Sequence, residues 1–162
     1  GIARRTGMDD AAARELAHVC EGNIAHALRL AKAGSAQPDL DRFSSWMRAC
    51  WARDAEGMVA ESEAFGSLGR EAQKRFLHYA LHIVRQCIVG HYGATELVRL
   101  TGAESAFLAK FSRFIHHGNA VALRDVLEEA HRDVAGNVNG KLVFVDLSLR
   151  VHRLLRLPAA QD

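Results

Sequence analysis

The fold is decided by one stretch, Asn137-Val-Asn-Gly-Lys-Leu-Val-Phe-Val-Asp-Leu-Ser-Leu-Arg-Val-His-Arg-Leu-Leu-Arg-Leu157. Wound as a helix, it carries six apolar side chains on one broad stripe: Val143, Phe144, Leu147, Val151, Leu154 and Leu155. Leu142, Val145 and Leu149 form a second stripe, confined to the first half. Because a helix that is apolar on two sides must be covered on two sides, we expect the chain's own core to cover the first stripe. More of that core, or another subunit, would cover the second.

A strand interpretation competes with the helix. Val145, Leu147, Leu149 and Val151 alternate with polar residues, which is the period of two that a half-buried strand shows. The run nevertheless continues for about sixteen residues, which is long for a strand. No other segment resembles a pairing partner, so we expect a helix.

The composition favours helices throughout. Of 162 residues, 49% are hydrophobic, and the two prolines, Pro38 and Pro158, lie between elements and near the end. Ala, Leu, Arg and Glu dominate, whereas β-branched residues are sparse outside the last stretch. We expect an all-α protein of one domain, or one domain plus a small appendage.

Charge and cysteine usage limit the class of protein. The formal charge is +2 and the isoelectric point is about 8.6, far from the concentrated positive field of a dedicated nucleic-acid binder. Cys20, Cys50 and Cys87 are odd in number and far apart, so we expect no disulfide framework or zinc pair, and a reducing cytoplasm. No apolar run approaches the roughly 20 residues that cross a bilayer, and we expect no membrane contact.

The chain divides into two expected segments. Residues 1–36 carry two short helices, the first capped by Asp9 or Asp10 and the second by Asn23, and a linker follows up to Pro38. Residues 39–162 form the main helical segment. Because the chain opens at Gly1 without a methionine and a helix-start signal follows almost at once, we expect a fragment of a longer protein.

About six helices are expected in residues 39–162. The first helix opens at Asp39 or Asp41, the second follows Arg53-Asp54 and runs to about Phe65, and the third runs from Arg70 to about Val89. A capping box, Thr101 to Glu104, precedes the fourth helix, Ser105–His116. The fifth runs from Asn119 to about Val134, and the sixth is the stretch quoted at the start. Their apolar faces include Trp46, Phe76, Tyr79 and Phe144, which could lie in the core or at a seam with another subunit.

Catalytic and metal-binding patterns find no support. His78 and His82 lie four apart, a spacing that can hold a metal ion, but no third ligand accompanies them and hydrogen-bonded or solvated histidines are favoured. The three cysteines fall on apolar faces, which favours buried, inert thiols. Nucleophile-elbow and phosphate-loop motifs are missing. We therefore expect no catalysis by this chain, no metal and no cofactor.

Two polar groups leave alternatives open. Arg150, Arg153 and Arg156 lie close together on the polar side of the last helix, where a solvated face is favoured over a DNA-facing patch. Asn137 and Asn139 flank the start of that helix, where their amides can cap free backbone N–H groups. Capping and a fixed contact with a neighbouring subunit are both consistent with the two asparagines.

Several segments together resemble one protein family. Gly22-Asn-Ile-Ala-His-Ala-Leu28 resembles the GNxxxAL signature in the lid of an AAA+ ATPase module, through Gly22, Asn23, Ala27 and Leu28. Three further segments resemble the C-terminal collar of bacterial DNA polymerase III clamp-loader subunits: Phe43-Ser-Ser-Trp-Met-Arg48, residues 69–85 and residues 137–149. The delta-prime type, in the form seen in Bacteroidetes, is the most similar. The segments span essentially the whole chain.

The resemblance implies that the chain functions in assembly. In the family, collars of five subunits pack into a ring that holds the ATPase modules while they open the sliding clamp and place it on primed DNA. Residues 1–36 would be the C-terminal part of a lid, and residues 39–162 a collar that meets gamma/tau and delta subunits in the polymerase holoenzyme. The residues implied for its core or its subunit contacts are Trp46, Arg48, Phe76, Tyr79, Arg85, Asn137, Asn139, Leu142, Phe144, Val145 and Leu149.

One position departs from the ATP-hydrolysing members. Those subunits carry an arginine in the lid signature that touches the nucleotide's phosphates, whereas this chain has Ala25 there, beside His26. Alanine offers no charged group to a phosphate, which favours the delta-prime type. Two alternatives stay open: a gamma/tau-type ATPase subunit, and a stand-alone helical DNA-binding or regulatory module.

Overall fold

The computed structural model describes residues 37–91 and 102–159. The elements in these two ranges are α1 (Gln37–Ala52), α2 (Ala55–Gly66), α3 (Arg70–His91), α4 (Gly102–Phe111), a 3-10 helix (Ser112–Phe114), α5 (Ala120–Ala135) and α6 (Gly140–Leu155). None of the described residues forms a strand, so the all-α prediction is confirmed and the strand interpretation of 145–151 is wrong. The lid signature (Gly22, Asn23, Ala25, Ala27 and Leu28), Cys20 and Thr101 lie outside the described residues.

Local sequence signals start two of the helices as expected. Arg53 adopts a left-handed φ of 55° between α1 and α2, and Asp54 then caps α2 by accepting a hydrogen bond from the backbone N–H of Gly57 at 3.0 Å. Asn139 caps α6 in the same way, accepting from the backbone N–H of Leu142 at 3.1 Å. Each cap satisfies a donor that the first helical turn leaves without an intrahelical partner.

The sequence predicted one continuous helix up to His116, but the structure ends this helix earlier. Helix α4 ends at Phe111 and continues as a 3-10 helix to Phe114. The reason lies in Asn119, which is 1% exposed: its Nδ2 donates to the carbonyls of Phe114 at 2.9 Å and Leu154 at 3.0 Å. One side-chain amide thus joins the end of the 3-10 helix to the end of α6, a role that the predicted helix start at Asn119 did not include.

Aromatic side chains form the centre of the core. Phe65 and Phe144 stack with ring centroids 4.3 Å apart, Trp46 lies 4.6 Å from Phe144, and Phe76 meets Trp46 edge-on at 5.9 Å. The indole Nε1 of Trp46 donates to the Ser148 hydroxyl at 2.9 Å, which in turn donates to the Phe144 carbonyl at 2.7 Å. Helices α1, α2, α3 and α6 therefore meet around one aromatic cluster.

Helices α2 and α6 run antiparallel and approach each other closely where α6 begins. A Cβ at Gly66 would lie 2.8 Å from the Lys141 Cβ, and a Cβ at Gly140 would lie 2.5 Å from Gln73 Nε2. Gln73 is buried, and its amide donates to the carbonyls of Phe65 at 3.0 Å and Leu68 at 3.1 Å. The amide therefore cannot move aside without losing the bonds that end α2.

This approach predicts the effect of Gly140→Ala. We expect a loss of about 1–3 kcal/mol in the free energy of unfolding, because the new methyl group displaces a buried, doubly bonded amide. Denaturant unfolding followed by circular dichroism measures it. Gly69→Ala is the matched control, since a Cβ there meets nothing within 4 Å. Equal stability of the two variants would contradict the close approach.

Candidate interaction site

Helix α6 has one covered and one uncovered apolar side. Five residues of the first stripe are core, since Val143, Phe144, Leu147, Val151 and Leu155 are all at most 8% exposed, and the sixth, Leu154, is half-buried against that core. In the second stripe, Leu142 is 67% exposed, Leu149 is 44% exposed, and Val145 is half-buried. We call Leu142, Val145 and Leu149 the α6 stripe. Their spacing of three and four residues is the one with which a helix meets a partner helix.

Neighbouring apolar residues extend the α6 stripe. Val138, just before the helix, is 46% exposed and continues its spacing by four residues. On α2, Glu63 lies 3.6 Å from the Lys141 ammonium. The close approach of Gly66 to Lys141 places Val59, seven residues before Gly66, at the level of Ser148 in this antiparallel pair. Val59 is 48% exposed. Exposed apolar residues therefore occur on α6 and on the neighbouring helix α2.

The two asparagines act within the chain. Asn137 adopts a left-handed φ of 70°, a conformation that asparagine tolerates better than most residues. Its Oδ1 accepts a hydrogen bond from the Arg70 guanidinium, which ties the turn before α6 to the start of α3. With the cap that Asn139 supplies, these bonds fix the direction in which α6 leaves the turn. Asn139 therefore acts as the cap of α6, whereas Asn137 forms part of the turn that precedes this helix.

The four large aromatic candidates lie inside this chain. Trp46, Phe76 and Phe144 are fully buried, and Tyr79 is 4% exposed. The Tyr79 hydroxyl donates to the Glu104 carboxylate at 2.8 Å, and burial together with the Glu104 charge raises the pKa of Tyr79. Of the two places left open for these side chains, the structure shows the core.

Glu104 forms a contact that its local sequence motif does not indicate. The Thr101 partner of the predicted capping box lies outside the described residues, and the structure places the Glu104 carboxylate, 2% exposed, against Tyr79 of α3. The local motif gives no sign of that contact, because the partner is 25 residues away in the chain. A buried tyrosine in need of a hydrogen-bond partner is the signal that could have indicated it.

The two arginine candidates lie on the surface. Arg85 on α3 pairs with Glu128 of α5 at 3.4 Å. Because both side chains are well exposed, this ion pair contributes little to stability. Arg48 on α1 is exposed and lines a cavity between α1 and α4. Neither arginine is a sequence neighbour of the α6 stripe.

The arginine cluster near the end of α6 is largely engaged within the chain. Arg150 pairs with Glu129 at 2.8 Å and with Asp146 at 3.1 Å. Arg156 donates to the Trp51 carbonyl at 2.6 and 3.0 Å, and its guanidinium lies 4.0 Å from the centroid of the Trp51 ring. Two of the three charges are thus committed to neighbouring groups, which weakens the case for a DNA-facing patch.

The histidine and cysteine candidates that the structure describes do not converge on a site. His78 is exposed whereas His82 is 8% exposed, and no group of three or more potential metal ligands occurs among the described residues. Cys50 and Cys87 are buried free thiols, and desolvation raises the pKa of each to about 12. Of the helices described, none is long and apolar enough to cross a bilayer.

Comparison with known proteins adds no further constraint. No protein-family model, no curated protein and no solved structure matches the chain significantly.

Proposed function

We propose that this chain is a C-terminal part of a delta-prime-type clamp-loader subunit and that its helical body is a collar. Its function is to assemble with gamma/tau and delta subunits, so that their ATPase modules are held together while the sliding clamp is loaded on primed DNA. The supporting observation is the exposed α6 stripe, with Leu142 67% and Leu149 44% exposed on a helix whose opposite side is fully buried.

The physical basis of assembly is apolar burial between helices. Covering a fully exposed Leu or Val side chain contributes about 1.5–3 kcal/mol, so the α6 stripe and its neighbours can supply several kcal/mol to an interface. The stripe also sits on a rigid support, because Asn139 caps the helix and Arg70 anchors the turn before it. A fixed helix loses little conformational entropy when a partner helix docks on it.

The test is assembly with purified clamp-loader subunits. The 162-residue chain is mixed with gamma/tau and delta subunits, and the mass of the complex is measured by light scattering. We expect the wild-type chain to add its mass to the complex, and the double variant Leu142→Glu with Leu149→Glu to add none. Two carboxylates on the stripe would have to be desolvated without partners in the interface.

A matched control separates lost binding from lost folding. Val121→Glu changes an equally exposed apolar residue, 55% exposed, on α5 outside the stripe. Because these positions are exposed, we expect each variant to keep its unfolding free energy within about 0.5 kcal/mol of wild type. Failure of the wild-type chain to enter the complex would contradict the proposal, as would full assembly of the double variant.

Different observations would distinguish the two alternative functions, a gamma/tau-type subunit and a stand-alone DNA-binding module. A gamma/tau-type subunit requires an intact GxxxxGK[ST] phosphate loop in the coding sequence upstream, whereas a degraded loop fits delta-prime. A stand-alone DNA-binding module requires a concentrated basic face. The intramolecular contacts of Arg150 and Arg156 leave Arg153 as the remaining cation of the α6 cluster, which disfavours that alternative.

A further inference from the structure

A second feature of the surface is a cavity of about 300 Å³ between α1 and α4. Its walls are apolar, with Met47 and Trp51 from α1, Phe107 from α4, Phe114 from the 3-10 helix and Leu155 from the end of α6. This volume is at the lower end of the range of about 300–1,000 Å³ for ligand pockets. The cavity suits one or two large side chains rather than an extended ligand.

Three cations line the same cavity, and no acid does. Arg48 on α1, Lys110 on α4 and Arg113 in the 3-10 helix are all exposed, and none of them forms an ion pair within residues 37–91 or 102–159. An apolar cavity surrounded by positive charge is complementary to a ligand in which an apolar group is flanked by negatively charged groups.

The aromatic walls favour a peptide over a nucleic acid. A base would need an open ring face on which to stack. One face of Trp51 is covered by the Arg156 guanidinium at 4.0 Å, and its ring packs against Phe114 at 4.6 Å. Phe107 stacks on Phe111 at 5.1 Å. Because these ring faces are already in contact with other groups, the cavity offers space for an inserted side chain rather than a stacking surface.

We propose that the cavity between α1 and α4 binds an acidic peptide segment of a partner protein, which inserts one large apolar side chain while its carboxylates pair with Arg48, Lys110 and Arg113. This site is separate from the α6 stripe, and it does not depend on the collar assignment. It would give the protein a second, charge-selective contact besides helix docking.

The probe is a fluorescein-labelled peptide of about ten residues, composed of Asp and Glu around a central Phe. Its binding to the full 162-residue chain is followed by fluorescence polarisation. We expect saturable binding that weakens as NaCl rises from about 0.05 M to about 0.5 M, since salt screens exposed charges. Replacing the central Phe of the probe with Ser should weaken binding about tenfold or more, because the apolar anchor is lost.

Variants of the chain test the two parts of the site separately. Arg48→Glu and Lys110→Glu should each weaken binding about tenfold, whereas Arg132→Glu, on α5 and outside the cavity, should leave it unchanged. Ser44→Phe places a ring in the cavity without changing charge, and should abolish binding of the Phe probe. Thermal unfolding of each variant confirms that it is folded.

Three results would overturn this inference. The first is the absence of saturable binding by the wild-type chain, and the second is equal binding of the Phe and Ser probes. The third is tighter binding of a labelled oligothymidylate that depends on the same cations, which would assign the site to single-stranded nucleic acid. None of these results bears on the assembly experiment, since the α6 stripe is unchanged in every variant.

Discussion

Trp46→Ala is expected to remove a large part of the stability of the fold. The indole is fully buried, meets Phe43, Phe76 and Phe144, and donates its N–H to Ser148 at 2.9 Å. Truncation of a buried Trp to Ala costs about 3–5 kcal/mol, through lost transfer energy and the cavity left behind. Small domains are stable by only about 5–15 kcal/mol. Denaturant unfolding monitored by circular dichroism gives the loss directly.

The second tryptophan supplies the matched control. Trp51 is 37% exposed at the end of α1 and packs against Phe114 and Arg156. Trp51→Ala opens no enclosed cavity, and we expect it to cost less than half as much as Trp46→Ala. Trp46→Phe should lie between wild type and Trp46→Ala, because it keeps a ring in the core but loses the hydrogen bond to Ser148. Similar losses from the two alanine variants would contradict the central position of Trp46.

Thiol reactivity is the second large effect. Cys50 and Cys87 are 0% and 3% exposed, and burial raises the pKa of both to about 12. In a Cys20→Ser background, we expect both thiols to react with a disulfide reagent at pH 8 about a thousandfold more slowly in the folded protein than in denaturant, because the thiolate is the reactive form. Absorbance of the released thiolate measures the rate. Rapid modification of the native protein would show that at least one cysteine is accessible.

The same burial makes stability depend on alkaline pH. In the folded protein the two thiols keep their protons to about pH 12, whereas in the unfolded chain they lose them above about pH 8.5. Between these values the unfolded state binds fewer protons, so the free energy of unfolding falls as the pH rises. The stabilising contribution is fully present below about pH 8.5. Replacement of both cysteines with Ala should flatten this part of the pH profile.

Much of the helical architecture could be predicted because its signals are local. The i, i+4, i+8 spacing of Val143, Leu147 and Val151 identified the buried side of α6, and all three are at most 8% exposed. Asp54 and Asn139 were placed at helix starts, where each accepts a backbone N–H bond three residues on. These features depend on neighbours within one turn, which the order of residues specifies.

Contacts between distant segments escaped the sequence analysis. Glu104 belongs to a predicted capping box and also accepts a hydrogen bond from Tyr79, and Asn119 stands at a helix start and also donates to the carbonyls of Phe114 and Leu154. Arg156 fits a solvated or DNA-facing cluster but holds the Trp51 carbonyl, 105 residues away. In each case a polar side chain satisfies a group that only the packing of the helices brings near.

The amino-acid order by itself determined that this protein is helical, where its capped helices start, and that α6 carries apolar side chains on two sides. The broad stripe was expected to face the core, and only the tertiary structure decided whether the second stripe is covered as well, because covering depends on the helices that pack beside it. Val143 and Leu147 are buried by the chain, whereas Leu142 and Leu149 are left exposed. Helix periodicity is set within a few residues, but burial is set by the whole assembly of helices.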